Sequence, residues 1–155
     1  MPTNDNPSKF KDGDKLSPHF SVHDMLRSQT ATRLKIEEQF NPPAEVFDNL
    51  EFLCNNLLEK LRTLNNDEPI FISSGYRCER LNSALPGASK TSQHMTGEAA
   101  DIDFGSLDAN ERFFEKIKNS DIDFDQMINE HNFDWVHISL RKDGSNRREI
   151  MNIPK

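Results

Sequence analysis

Three residues of metal-binding type, His94, Asp101 and His137, carry the chemical interest of this 155-residue chain. His94 lies in the run Ser92-Gln93-His94-Met95-Thr96-Gly97-Glu98-Ala99-Ala100-Asp101, where a loop histidine is followed seven residues later by a strand aspartate. The small Gly97, Ala99 and Ala100 let the intervening backbone turn tightly and pack closely. In Trp135-Val136-His137-Ile138-Ser139, strand parity puts Trp135, His137 and Ser139 on one face and Val136, Ile138 and Leu140 on the opposite, apolar one. A strand carrying His137 that paired near Asp101 would bring two imidazoles and one carboxylate to a common point, the ligand set of a zinc with an open fourth position. Spacing alone also fits a plainer reading, with His94 capping a loop and His137 half-exposed on a strand. Ser74-Gly75-Tyr76-Arg77 reads as a strand-to-loop corner that presents an arginine, suited to a bidentate grip on a carboxylate or carbonyl.

The elements around these residues follow from pattern. Ser21 stands three residues before Asp24 and is followed by apolar residues, a capping-box helix start for about two turns. Asn41-Pro42-Pro43 breaks the chain, and Val46, Leu50, Leu53, Leu57, Leu58, Leu61 and Leu64 then recur at spacings of three and four, which predicts one long helix ending before Pro69. Ile70-Phe71-Ile72 is a short buried strand, and Arg77 to Leu85 has room for one or two helical turns. Ala99 to Phe104 is a strand with Asp101 and Asp103 on one face, and Asp103 is expected to orient a ligand or Arg77. Asp108 to Lys118 is an amphipathic helix with Phe113, Phe114 and Ile117 inward. Phe124 to Ile128 and Trp135 to Leu140 are strands, and Arg147 to Ile150 is a candidate edge strand whose two arginines serve solvation. Helices first and a small, mostly antiparallel sheet later make an α+β single domain over residues 17–155, after a flexible tail at 1–16.

Composition sets the limits. With 34% hydrophobic and 29% charged residues and eleven Phe, the chain is too apolar for disorder and too polar for a membrane protein. The formal charge of -7 argues against nucleic acid as a partner. No apolar run of signal-peptide length occurs between Met1 and Lys15, and no segment reaches the roughly 18 apolar residues of a membrane span, so synthesis in the cytoplasm without membrane insertion is expected. Cys54 and Cys78 read as free buried thiols, and His19, His23 and His131 as surface or capping residues.

Taken together, Ser74-Gly75-Tyr76-Arg77, Ser92-Gln93-His94 with Gly97-Glu98-Ala99-Ala100-Asp101, and Trp135-Val136-His137-Ile138-Ser139 resemble the zinc D-Ala-D-Ala carboxypeptidase family, which includes D-Ala-D-Ala dipeptidases and phage peptidoglycan endopeptidases. The likeness runs over about residues 18–151, extends to the branch often found as a C-terminal peptidase domain, and implies a Hedgehog/DD-peptidase-like fold. It implies His94, Asp101 and His137 as ligands of one zinc per chain and Arg77 as the residue that positions substrate and stabilises the transition state. It implies Ser92 as a substrate or supporting contact, and peptidoglycan peptides as the substrate of a monomer. Trp135 is expected to wall the substrate cleft. In the family an acid three residues before the last histidine activates the attacking water, and that position here is Asp134. Strict strand parity would turn Asp134 away from His137, so it can serve only if the chain turns or bulges just before Trp135. Glu130, longer and in the same connection, is the other candidate. A zinc-bearing binding module without turnover and a phage structural component sharing the fold are the alternative readings, and the setting is expected to be that of a phage-type protein released by lysis or of a cytoplasmic dipeptidase.

Overall fold

The computed structural model describes residues 10–11 and 13–153; most of the expected tail, including residues 1–9 and 12, lies outside the described residues. Lys15–Ser17 (β1) and Phe20–Ser21 (β2) pair as an antiparallel ribbon, and the side chains of Leu16 and Phe20 enter the core.

Helix α1 (Val22–Leu26) starts on the expected capping box: Ser21 Oγ accepts from Asp24 N at 3.1 Å and the Asp24 carboxylate accepts from Ser21 N at 2.9 Å. The helix stops at Arg27 because Ser28 caps a new one, α2 (Gln29–Leu34), so one expected helix is two. The leucine-rich segment is continuous as α3 (Ala44–Leu53), a π turn (Cys54–Leu58) and α4 (Glu59–Leu64). Leu50, Leu53, Leu57, Leu58 and Leu61 are fully buried along it. A π turn inserts one residue into the helical repeat, which a leucine spacing of three and four does not reveal.

The main sheet has five strands in the order β3 (Phe71–Ser74), β4 (Ala99–Asp103), β6 (Trp135–Ser139), β5 (Gln126–Glu130), β7 (Glu149–Ile153). The first three pairings are antiparallel and β5 with β7 is parallel, giving a small α+β domain with a mostly antiparallel sheet. Ile72, Ala100, Ile102, Met127, Val136 and Ile138 join the long helix and α6 (Leu107–Lys118; Phe114 and Ile117) in one core. Helix α5 (Glu79–Ala84) follows the Gly75 corner. Both cysteines are buried and free. No helix among the described residues is long and apolar enough to cross a membrane.

Two polar expectations need correction. Arg147 and Arg148 precede β7 and are tied to the fold by specific hydrogen bonds, although Arg147 stays exposed. Arg147 donates from backbone and side chain to the fully buried Asp125, while Arg148 donates to Ser120 O at 2.6 Å and Ile122 O at 3.1 Å and lies 4.8 Å from the Phe124 ring centroid. Asp103 does not reach Arg77; it accepts from Gly105 N and from Asn110 on α6.

Candidate metal centre

Sheet register builds the centre. Asp101 on β4 is the direct cross-strand partner of His137 on β6, and Ser74 on β3 stands opposite Asp101 on its other side. Paired residues in a sheet project from the same face, so Asp101 and His137 meet above the sheet. His94 arrives from a 3-10 turn, Gln93–Thr96, that Ser92 caps by accepting from His94 N at 3.2 Å. That turn is held against the long helix: Asn49 Nδ2 donates to Thr96 O at 2.8 Å, and Gly97 ends the turn at φ 80°. A side chain at Gly97 would place its Cβ 2.8 Å from Val46 O, so only glycine allows this approach.

One ligand atom from each of His94, Asp101 and His137 lies within 4.8 Å of the others, and all three residues are buried. Asp101 Oδ1 is 3.2 Å from His94 Nε2 and 3.1 Å from His137 Nδ1. The other His94 nitrogen, Nδ1, is 2.6 Å from Gly75 O. A carbonyl can only accept, so Nδ1 carries the proton and Nε2 of a neutral ring presents a lone pair to a carboxylate oxygen. Such a contact calls for a cation between the two atoms or a second proton on the ring. Burial lowers the His94 pKa and disfavours the doubly protonated ring. Burial pushes the Asp101 carboxyl up, but its contacts with the two imidazoles outweigh burial and hold it below the usual carboxylate range. Two imidazoles and a carboxylate, converging in a buried site, fit a zinc ion in donor type and number.

Arg77 sits on the second oxygen of the same carboxylate. Its Nη2 donates to Asp101 Oδ2 at 3.1 Å, its Nε to Ser74 Oγ at 3.1 Å and its Nη1 to Asn82 Oδ1 at 3.3 Å. The corner that carries it is pinned from below. Buried Gln39 donates to Tyr76 O and Leu26 O and accepts from Cys78 N, and a Cβ on Gly75 would lie 2.5 Å from Met25 O. Gln39 and Asn82, both buried, were invisible to pattern reading: each is one polar residue in a stretch with no motif.

The two candidate bases stand at the end of β5 and the start of β6. Glu130 is the cross-strand partner of Trp135, and so shares the face of Trp135 and His137. Asp134 is exposed and follows three consecutive left-handed residues, His131 (φ 50°), Asn132 (φ 57°) and Phe133 (φ 68°), so the chain does turn just before Trp135. Asn110, 1% exposed on α6, holds this turn by donating to Phe133 O at 2.8 Å and Asp134 O at 3.3 Å while accepting from Phe104 N at 2.7 Å. Trp135 is half-buried with its ring 4.8 Å from that of His131, and its indole N–H has no hydrogen-bond partner among the described residues. Another residue that sequence reasoning missed is Asp125. It is fully buried, accepts from Arg141, Arg147 and Gln93, and so ties the residue before His94 to the start of β5. Of the remaining histidines, His19 pairs with Glu59 at 2.6 Å, while His23 and His131 are exposed.

The family model described as Peptidase M15 matches residues 18–139. The chain belongs to the Peptidase M15 family. This is the zinc D-Ala-D-Ala carboxypeptidase family, and its members are zinc-dependent metallopeptidases. The match spans the Ser74 to Arg77 corner, the His94 turn and the strand of His137, so the whole cluster lies inside it. No curated protein matches the chain significantly.

Proposed function

We propose that this M15 chain hydrolyses a peptide bond next to a D-amino acid in bacterial cell-wall stem peptides, of the D-Ala-D-Ala or L-Ala-D-Glu type. The observation that carries the reading is the buried convergence of His94, Asp101 and His137 at the cross-strand pair of β4 and β6. These three residues would hold one zinc ion, which supplies Lewis-acid polarisation of the scissile carbonyl and acidification of a water. Asp134 accepts the proton of the attacking water and returns it to the leaving amine, with Glu130 the alternative base; the left-handed turn that Asn110 holds just before Trp135 supports Asp134. Arg77 uses three N–H groups on Ser74, Asn82 and Asp101, which leaves two of the five on a guanidinium for the developing oxyanion or a neighbouring carbonyl. Ser92 supports His94 from behind, through its cap on the turn. Trp135 walls the cleft on the face it shares with His137.

Incubation of purified peptidoglycan with the zinc-loaded protein, followed by mass analysis of the released fragments, tests the reading and identifies the bond. Release of D-Ala, or of fragments cut between L-Ala and D-Glu, supports it. Intact peptidoglycan and intact stem peptides after incubation with a zinc-loaded, folded protein would favour a module that binds without turnover.

A further inference from the structure

Arg27 is a half-buried cation that forms no ion pair among the described residues. It terminates α1 and lies against β3, the edge strand of the sheet. One guanidinium nitrogen donates to Ile72 O at 2.6 Å, and its Cζ sits 4.7 Å over the Phe71 ring. Among the described residues no carboxylate forms an ion pair with it, although the chain carries a net charge of -7. A guanidinium fixed by one carbonyl and one aromatic face keeps the rest of its planar fork available, and that fork matches a carboxylate.

A cleft of about 510 Å³ opens at this residue, within the size range of small-ligand sites. It runs from Arg27, Ser28 and Thr30 past Ser73 and Ser74 to Arg77. Its described lining includes two arginines and no acidic residue. The cleft adjoins the metal centre and does not contain it: Arg77 lines the cleft and also donates to Asp101, whereas His94, Asp101 and His137 are absent from the lining. A ligand lying in it would therefore extend from the neighbourhood of Asp101, past Arg77, toward an unpaired positive charge.

We propose that this cleft is an anion-recognition subsite in which Arg27 binds a carboxylate of the peptide substrate, with Arg77 between that group and the reacting centre. The identity of the ligand as a peptide rests on the function proposed above; the affinity for a carboxylate rests on Arg27 and the cleft. The carboxylate can be the α-carboxylate at a chain end or the side-chain carboxylate of an acidic residue.

The test uses the zinc-loaded full chain and probes without a peptide bond, so that turnover plays no part. The side-chain Nε resonances of Arg27 and Arg77 are followed by NMR during titration with D-glutamate, D-glutamine, D-isoglutamine and the diamide of D-glutamic acid. The Arg27 resonance should move with D-glutamate and with at least one monocarboxylate, and stay put with the diamide. A response to D-glutamine assigns the α-carboxylate, and one to D-isoglutamine the side-chain carboxylate. Arg27→Met should bind the responding probe about tenfold more weakly or worse, the scale for one charge-assisted hydrogen bond, and Arg27→Lys should fall between. An Arg27 resonance unmoved by D-glutamate, or moved equally by the diamide, overturns the proposal, and this readout on the unsubstituted protein stands even if Arg27→Met folds poorly. Failure of the peptidase reading would look different: carboxylate binding at Arg27 intact, with peptidoglycan left uncut.

Discussion

Replacing Asn110 separates the turn that carries Asp134 from the metal centre itself. Asn110 is 1% exposed and satisfies Phe104 N, Phe133 O and Asp134 O, with a further contact to Asp103 Oδ1 at 3.2 Å. Asn110→Ala strands at least Phe104 N and Phe133 O. A buried group without its partner costs about 1–3 kcal/mol. Phe104 and Phe133 are only partly buried, so water recovers some of that, and a total near 2–3 kcal/mol is expected. For a chain of this size about 1 kcal/mol moves the melting temperature by 2–4 °C, which puts the loss at roughly 4–12 °C. Asn110→Asp is the sharper variant. It keeps the oxygen that receives Phe104 N, removes the donor to Phe133 O, and sets a carboxylate beside Asp103. The three metal-site residues sit on the Gln93–Thr96 turn, β4 and β6, and none is hydrogen-bonded to Asn110. Zinc content should therefore stay near that of the unsubstituted protein, while turnover falls by about a hundredfold, the scale for misplacing a catalytic group by about 1 Å. Thermal unfolding, metal analysis and peptide hydrolysis on the same preparation decide the matter. Full turnover in Asn110→Asp with normal zinc would refute the claim that this turn positions the base.

Arg77→Ala should keep its zinc, since both histidines and Asp101 Oδ1 remain, and lose about a hundredfold or more in turnover; unchanged turnover would reduce Arg77 to a structural partner of Asp101. Asp134→Asn preserves shape and removes only the proton acceptor, so zinc should bind while turnover falls by about two to four powers of ten, and Glu130→Gln should do much less; a reversed pattern would transfer the role to Glu130, which the sheet register places on the face of His137. Asp125 is held well below the usual carboxyl range, chiefly by hydrogen bonds from Arg147. Because its folded-state pKa is lower than the value near 3.9 of an unfolded aspartate, its contribution is complete above about pH 5 and fades as pH falls below 4. Asp125→Asn should lower the melting temperature by about 4–8 °C at pH 7, equivalent to about 2 kcal/mol because both arginine partners reach solvent, and by progressively less toward pH 3; a deficit that does not shrink in acid would contradict the assignment.

The ends and faces of elements were the legible part of this fold, because capping chemistry and apolar period are local. The Ser21 to Asp24 box, the leucine run after Pro43 and the alternation about His137 each predict what the structure holds. The pairing of Asp101 with His137 could be framed only as a condition, since residues 36 apart in sequence meet through sheet register, which no local pattern fixes. The buried polar supports were illegible for a related reason. Gln39, Asn82, Asn110 and Asp125 act through carbonyls, amides and arginines brought in from distant segments, and an isolated amide or carboxylate in a polar stretch carries no sign of its burial. Arg147 and Arg148 show the converse error: an adjacent basic pair looks merely solvated until the structure supplies Asp125 and the carbonyls after α6.

The central claim is that His94, Asp101 and His137 form a zinc site, and metal analysis of the purified protein beside its His94→Ala and His137→Ala variants tests it most directly. The unsubstituted chain should bind about one equivalent of zinc, and each variant should lose most of it while remaining folded. Full zinc stoichiometry in both variants would contradict the account.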